Sequence, residues 1–161
     1  MMTRRFLLAG ATALLSALGL KRAGAAQAAE HFAVTHSDAE WKALLPEPRY
    51  AILRGHGTEH PGSSPLNAVK SSGLFHCAGC DLPVYSSKMK YESGTGWPSF
   101  WDSLPDAVGT QDDISFGMIR TEVHCRRCGG HFGHIFDDGP KPTGKRHCLN
   151  GLALTFESGP V

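Results

Sequence analysis

The chain has 161 residues, enough for one domain with a core of ordinary size. Charged residues make up 19% and aromatic residues 9%, which argues against a disordered chain and against one built of membrane spans. Nineteen glycines and ten prolines imply many turns and short elements, and the formal net charge is +1.

The first 28 residues read as an export signal. Arg4 and Arg5 give a basic start, an apolar run spans Phe6 to Leu20, and A-x-A sites end at Ala25 and Ala28. The stretch TRRFLL resembles a twin-arginine signal, which implies passage through the export machinery for folded proteins. A membrane anchor holding the domain on the periplasmic side is the alternative. The run is shorter than the ~20 apolar residues that a spanning helix needs, which favours the signal. Cleavage would remove Arg4, Arg5, Lys21 and Arg22. Sixteen basic residues less these four leaves 12 against 15 acidic ones, a net charge of −3. No basic face of the kind that binds nucleic acid is evident. The expected product is a weakly acidic, soluble, monomeric periplasmic domain over residues 29–161.

HSDAEWKALL (36–45) predicts a helix, with Ser37 and Glu40 as a capping box and Trp41, Leu44 and Leu45 on one face. PEPRYAILRGHG (46–57) predicts a second, with Pro46 and Pro48 in its first turn and Gly55 or Gly57 as its stop. Beyond residue 58 the segments are short and bounded by glycine or proline. GLFHC, PVYSS, ISFGMIRTEVHC, GHIF and HCLNGLALTF predict antiparallel strands, with Leu152, Leu154 and Phe156 on one face. The expected fold is mainly β, with two short helices at its amino-terminal edge.

Cys77 and Cys80 form one Cys-x-x-Cys pair and Cys125 and Cys128 another. Each stands where a strand meets a tight turn, with Gly79 and Gly129 supplying freedom. Two such turns can aim four thiolates at one point, the closed pattern of a structural zinc site, one ion per chain. Two disulfides are the alternative, since the periplasm permits them. A Cys-x-x-Cys disulfide closes too small a loop to constrain the unfolded chain much. A redox-active pair is a third possibility, but it belongs at a helix start in a βαβ unit, and none is visible.

Cys148 has no cysteine neighbour. Arg146 and His147 beside it would favour a thiolate, hence a nucleophile. The plain alternative is an inert, buried strand cysteine. Trp97 lies in GTGWPSF, a loop bounded by glycine and proline, as either core or ligand wall. His131 and His134 lie in a glycine-rich stretch, as metal ligands or loop residues.

LRGHGTEHPGSSPLN, FHCAGCDLPVYSSKMKYESGTGWPSFW and CRRCGGHFGHIFDDGPKPTGKRHCLN together resemble the methionine-R-sulfoxide reductases of the B class. The resemblance runs from about residue 36 to residue 156. It implies two small antiparallel sheets packed at an angle and a structural zinc on Cys77, Cys80, Cys125 and Cys128. It implies Cys148 as nucleophile, Trp97 as the wall against the substrate methyl group, and His131 and His134 near the sulfoxide oxygen. Arg146 and Asn150 would flank the nucleophile, and Arg146 would hold it as thiolate. The substrate would be oxidised methionine in proteins or peptides. Thr95 stands where many members carry a resolving cysteine, so Cys148 would become a sulfenic acid that an external, thioredoxin-like thiol reduces. His147 replaces a common tyrosine and is expected to fill a strand face. Gly151 replaces a frequent serine and is expected to loosen the loop. A zinc-ribbon binding module would leave Cys148, Trp97 and the histidines unexplained. A thiol peroxidase would use the same cysteine on peroxide.

Overall fold

The computed structural model describes residues 31–161, so the expected export signal lies outside the described residues. Helix α1 (Asp38–Leu44) starts as its sequence dictates. The Ser37 hydroxyl accepts from the Glu40 amide, and the Glu40 carboxylate accepts from the Ser37 amide at 2.7 Å. Its apolar face delivers Trp41 to the core; Leu44 stays exposed. Helix α2 (Glu47–Leu53) is shorter than expected, with Pro46 as its N-cap and Arg54 as its C-cap. The Gly55 and Gly57 amides donate to Tyr50 and Ala51 carbonyls. A Cβ on Gly55 would lie 2.6 Å from the Ala51 oxygen, so the glycine permits the tight exit.

Among the described residues nine strands follow: β1 (Gly73–Cys77), β2 (Pro83–Ser86), β3 (Lys90–Tyr91), β4 (Ser99–Phe100), β5 (Val108–Asp113), β6 (Arg120–Cys125), β7 (His131–Phe136), β8 (Arg146–Leu149) and β9 (Leu154–Ser158). They form two antiparallel sheets, β2-β1-β9 and β3-β4-β8-β7-β6-β5. The mainly β expectation is met. Three details differ from the sequence reading. The strand expected from Ile114 begins only at Arg120, because residues 115–117 form a 3-10 turn. β5, which precedes that turn, is polar along most of its length and gave no apolar alternation. Leu152 lies in a 3-10 turn (Gly151–Ala153), so it does not extend the face of Leu154 and Phe156.

The sheets meet across an aromatic layer. Phe75 of β1 contacts Phe100 of β4 at 4.9 Å between ring centroids, and Tyr85 of β2 contacts Phe100 at 4.6 Å. Phe75, Tyr85, Phe100 and Phe132 have no solvent exposure. Removing the Phe100 ring should cost about 3–5 kcal/mol, since rigid partners on both sheets cannot close the cavity.

Antiparallel register decides what the other face of the larger sheet carries. Tyr91 opposes Ser99, Ser99 opposes Cys148, Cys148 opposes His134, His134 opposes Glu122, and Glu122 opposes Gln111. Directly opposed residues project to the same face. One transverse row of six polar side chains therefore crosses the whole sheet. Their neighbours in sequence, Phe100 and His147 among them, point into the aromatic layer.

Candidate active site

Cys148 sits in the middle of that row. β7 approaches β8 closely here, and a Cβ on Gly133 would lie 2.1 Å from the Cys148 carbonyl oxygen. Glycine at 133 is a condition for the pairing that holds the cysteine. A cavity of about 160 Å³ opens over the thiol, walled by Trp97, His134, Phe136, Thr58 and Asn150.

The Thr95 hydroxyl lies 3.9 Å from Cys148 Sγ. It is tied to the Ser93 hydroxyl at 2.9 Å, and Ser93 to Ser99 at 2.7 Å. The position where a second thiol was sought thus holds a hydroxyl chain ending at the sulfur. Burial pushes the Cys148 thiol above its ordinary 9.0, outweighing the Thr95 contact and the Arg146 charge. Arg146 is largely committed elsewhere. Its guanidinium makes a two-point pair with Asp138 at 2.8 and 2.9 Å and lies over the Phe136 ring, 4.4 Å from the centroid. Its charge favours the Cys148 thiolate, but by less than burial disfavours it.

His147 adds no positive charge either. It is buried in the aromatic layer, with Nδ1 3.0 Å from the Tyr85 hydroxyl, and burial lowers its pKa to about 4. It fills a strand face, as expected.

His134 faces the cavity across from Cys148. Its Nε2–H donates to Asp113 at 2.7 Å. Hydrogen bonds from Ser115, then from His134, hold Asp113 well below the usual carboxylate range. Burial lowers the His134 pKa below its ordinary value, more than the hydrogen bond to Asp113 raises it. His131 lies behind, 2% exposed, its ring centroid 5.6 Å from that of His134 and its Nδ1 2.7 Å from the Glu122 carboxylate. The structure thus gathers Cys148, Trp97, His134 and Asn150 at one cavity, and sets His131 and Arg146 around it.

Asn150 is fully engaged. Its amide NH₂ donates to the Phe132 carbonyl at 3.0 Å, and its oxygen accepts from the Glu59 amide at 2.9 Å. Glu59 had no role in the sequence reading and is the hub of this corner. Its carboxylate accepts from the Gly151 and Leu152 amides, while its carbonyl accepts from Trp97 Nε1 at 3.2 Å. One residue therefore fixes both the tryptophan wall and the turn after the nucleophile. That turn is not loose: a Cβ on Gly151 would meet the Ser64 hydroxyl at 1.8 Å. Glu122, also overlooked, was visible as an acid sharing a strand face with His124 in RTEVHC.

The paired cysteines converge as one group. Cys77 Sγ lies 3.7 Å from Cys128 Sγ and Cys80 Sγ 3.5 Å from Cys125 Sγ, and all four lie within 4.8 Å of one another. All four are free thiols. A tetrahedral metal–sulfur site with bonds of ~2.3 Å has edges of about 3.8 Å, so the cluster fits such an ion. The two turns are built alike. Cys77 N donates to the Leu82 carbonyl and Cys125 N to that of Gly130, and the residue after each second cysteine has positive φ, 59° at Asp81 and 69° at Gly129. Gly79 was expected to supply that freedom; Asp81 does.

Comparison with known proteins agrees with this layout. The SelR domain family matches residues 45–158. A peptide methionine sulfoxide reductase MsrB from Agrobacterium fabrum is 47% identical over 125 residues, covering 77% of this chain and 93% of that protein. One from Methanosarcina barkeri is 49% identical, covering 78% and 89%, and one from Leptospira interrogans 46%, covering 79% and 98%.

Proposed function

Because the chain belongs to the SelR domain family, and so is a methionine-R-sulfoxide reductase, we propose that it works through Cys148 in a one-cysteine cycle. The observation that carries this reading is Cys148 beneath a cavity walled by Trp97 and His134, with a hydroxyl and no thiol at position 95.

The cavity takes the sulfoxide end of an oxidised methionine side chain, with the methyl group against Trp97 and the oxygen toward His134. Burial disfavours the thiolate of Cys148 and the imidazolium of His134, and the cycle starts from a thiol and a neutral imidazole that share one exchangeable proton. Passing that proton from Sγ toward the sulfoxide oxygen by way of His134 creates the nucleophile and activates the electrophile together. Asp113 holds the His134 ring in place and stabilises its transient charge. Cys148 Sγ attacks the substrate sulfur to form an S–S bond; the protonated oxygen then shifts to Sγ as the substrate's sulfur–oxygen bond and the S–S bond break, and the thioether leaves. Oxygen and proton remain on Cys148 as sulfenic acid, a two-electron oxidation that matches the reduction of the substrate. His131, braced by Glu122, positions His134; Arg146 and Asn150 position the strand that carries the sulfur.

With no thiol at 95 and the other four cysteines in the cluster, the sulfenic acid is reduced by an external thiol of the thioredoxin type. Cys77, Cys80, Cys125 and Cys128 would hold zinc, which would supply no chemistry and would tie together the chain after β1 and after β6. The basic start and apolar run of residues 1–28 support export through the twin-arginine route to the periplasm, where a monomer would repair oxidised proteins. A zinc-ribbon module or a peroxidase leaves the Trp97–His134 cavity without a role. The test is turnover of R and S methionine sulfoxide with a dithiol donor. Wild type should reduce the R epimer only, and Cys148→Ser neither, while keeping its fold and zinc; turnover by Cys148→Ser sinks the reading.

A further inference from the structure

A second group of ligand atoms lies apart from the four cysteines. Glu122 Oε1 is 2.7 Å from His131 Nδ1 and 3.4 Å from His56 Nδ1. The two imidazoles lie partly over one another, with centroids 4.9 Å apart and planes inclined by 34°. One donor atom from each of the three residues falls within 4.8 Å of the other two. His131 and Glu122 are buried, whereas the His56 side chain is 56% exposed. A cavity of about 770 Å³ opens directly on the group.

We propose that His56, Glu122 and His131 form a second metal site, for a late first-row divalent cation such as Ni²⁺ or Zn²⁺. Two imidazoles and one carboxylate on one side, with solvent on the other, are the donor set these ions accept with an open position for water. Geometry agrees. Bonds of about 2.0–2.1 Å in a tetrahedral arrangement separate donors by about 3.3 Å. His56 and Glu122 already stand at that separation. His131 and Glu122 are closer because a hydrogen bond joins them, and the ion would take the place of the shared proton. The carboxylate would recede by about 0.6 Å, well within the freedom of a glutamate, and the ring proton of His131 would move to Nε2.

His56 is held over Glu122 by its backbone, at φ 52° between Gly55 and Gly57. Histidine is among the residues that tolerate this conformation, and the adjacent glycines let the loop turn back toward β6 and β7. Gln111 and His124 contact the other carboxylate oxygen of Glu122, which fixes its plane while Oε1 faces the two ligand histidines. The donors are nitrogen and oxygen, unlike the four sulfurs of the cysteine cluster, so the two sites can be loaded separately.

Calorimetric titration with Ni²⁺ of the tag-free chain loaded with one zinc per chain, the content of the cysteine cluster alone, tests this. The chain carries Cys148→Ser throughout, so that the active-site thiol contributes nothing. One saturable Ni²⁺ per chain is expected, with the zinc content unchanged. His56→Asn keeps a residue that tolerates positive φ and removes the exposed ligand, and should weaken binding by about tenfold or more. Absence of saturable binding, release of zinc in proportion to Ni²⁺ bound, or equal affinity in the His56→Asn variant would each overturn the proposal.

Discussion

Glu59 offers the sharpest test of how the site is held. Its buried carboxylate accepts from the Gly151 amide at 2.5 Å and the Leu152 amide at 3.3 Å, the two N–H groups that open the turn after the nucleophile. Hydrogen bonds to a charged group are worth about 1.5–3 kcal/mol each, and a buried donor left without a partner costs about 1–3 kcal/mol. Glu59→Ala strands both donors and should cost about 3–5 kcal/mol, a large share of the 5–15 kcal/mol typical of a domain. Glu59→Gln retains one acceptor and sets an NH₂ against the other amide, so about 2 kcal/mol should be lost. Urea denaturation reads these as shifts in midpoint at constant slope. The same turn follows Cys148 and Asn150, so kcat/KM for the R sulfoxide should fall by at least about tenfold in Glu59→Gln, equivalent to ~1.4 kcal/mol. A Glu59→Gln midpoint equal to that of wild type, with unaltered kcat/KM, would refute the bracing role.

Other consequences follow from the same geometry. Burial lowers the His134 pKa and raises that of Cys148, so kcat/KM should be bell-shaped: an acid limb where His134 gains a second proton, displaced below the ordinary histidine range, and an alkaline limb where Cys148 loses its proton, displaced above the ordinary thiol range. A rate that climbs steadily from pH 6.5 to 9 would instead indicate a thiolate-limited enzyme. Thr95→Cys places a thiol where Oγ1 now stands 3.9 Å from Cys148 Sγ, and one turnover should then leave a 95–148 disulfide, detectable by non-reducing peptide mapping; persistent sulfenic acid in that variant would contradict the placement. Cys80→Ser should lose zinc and lower the melting temperature steeply, because metal binding in such sites is part of the folding free energy; full stability without metal would mean the cluster is dispensable.

Much of this arrangement is readable from sequence because it depends on local spacing. The Ser37–Glu40 box, the two Cys-x-x-Cys turns and the strand GLFHC each carry their own signal and form as written. The site is different. Tyr91, Ser99, Cys148, His134, Glu122 and Gln111 become one row only through the register of six strands, two of them two residues long. No periodicity within a single segment announces such a row. Electrostatics escaped for a similar reason. Arg146 and His147 are adjacent to Cys148 in sequence, but strand alternation sends His147 into the aromatic layer, and Asp138 claims the guanidinium. Neighbours in the chain suggested a thiolate; neighbours in space give a half-buried sulfur, its pKa raised by burial, with a histidine across the cavity. Glu59 was hidden because the partners of its carboxylate lie more than ninety residues away.

The central claim is that Cys148 takes the oxygen from the substrate and keeps it until an outside thiol arrives. Mixing reduced enzyme with one equivalent of peptide methionine R-sulfoxide, without donor, and analysing intact chain and peptides by mass spectrometry tests it directly. The account predicts one methionine formed per chain and the mass of one oxygen atom gained on the peptide containing Cys148, trapped by a sulfenic-acid reagent. A disulfide between Cys148 and any of Cys77, Cys80, Cys125 or Cys128, or methionine formed with Cys148 unmodified, would contradict it.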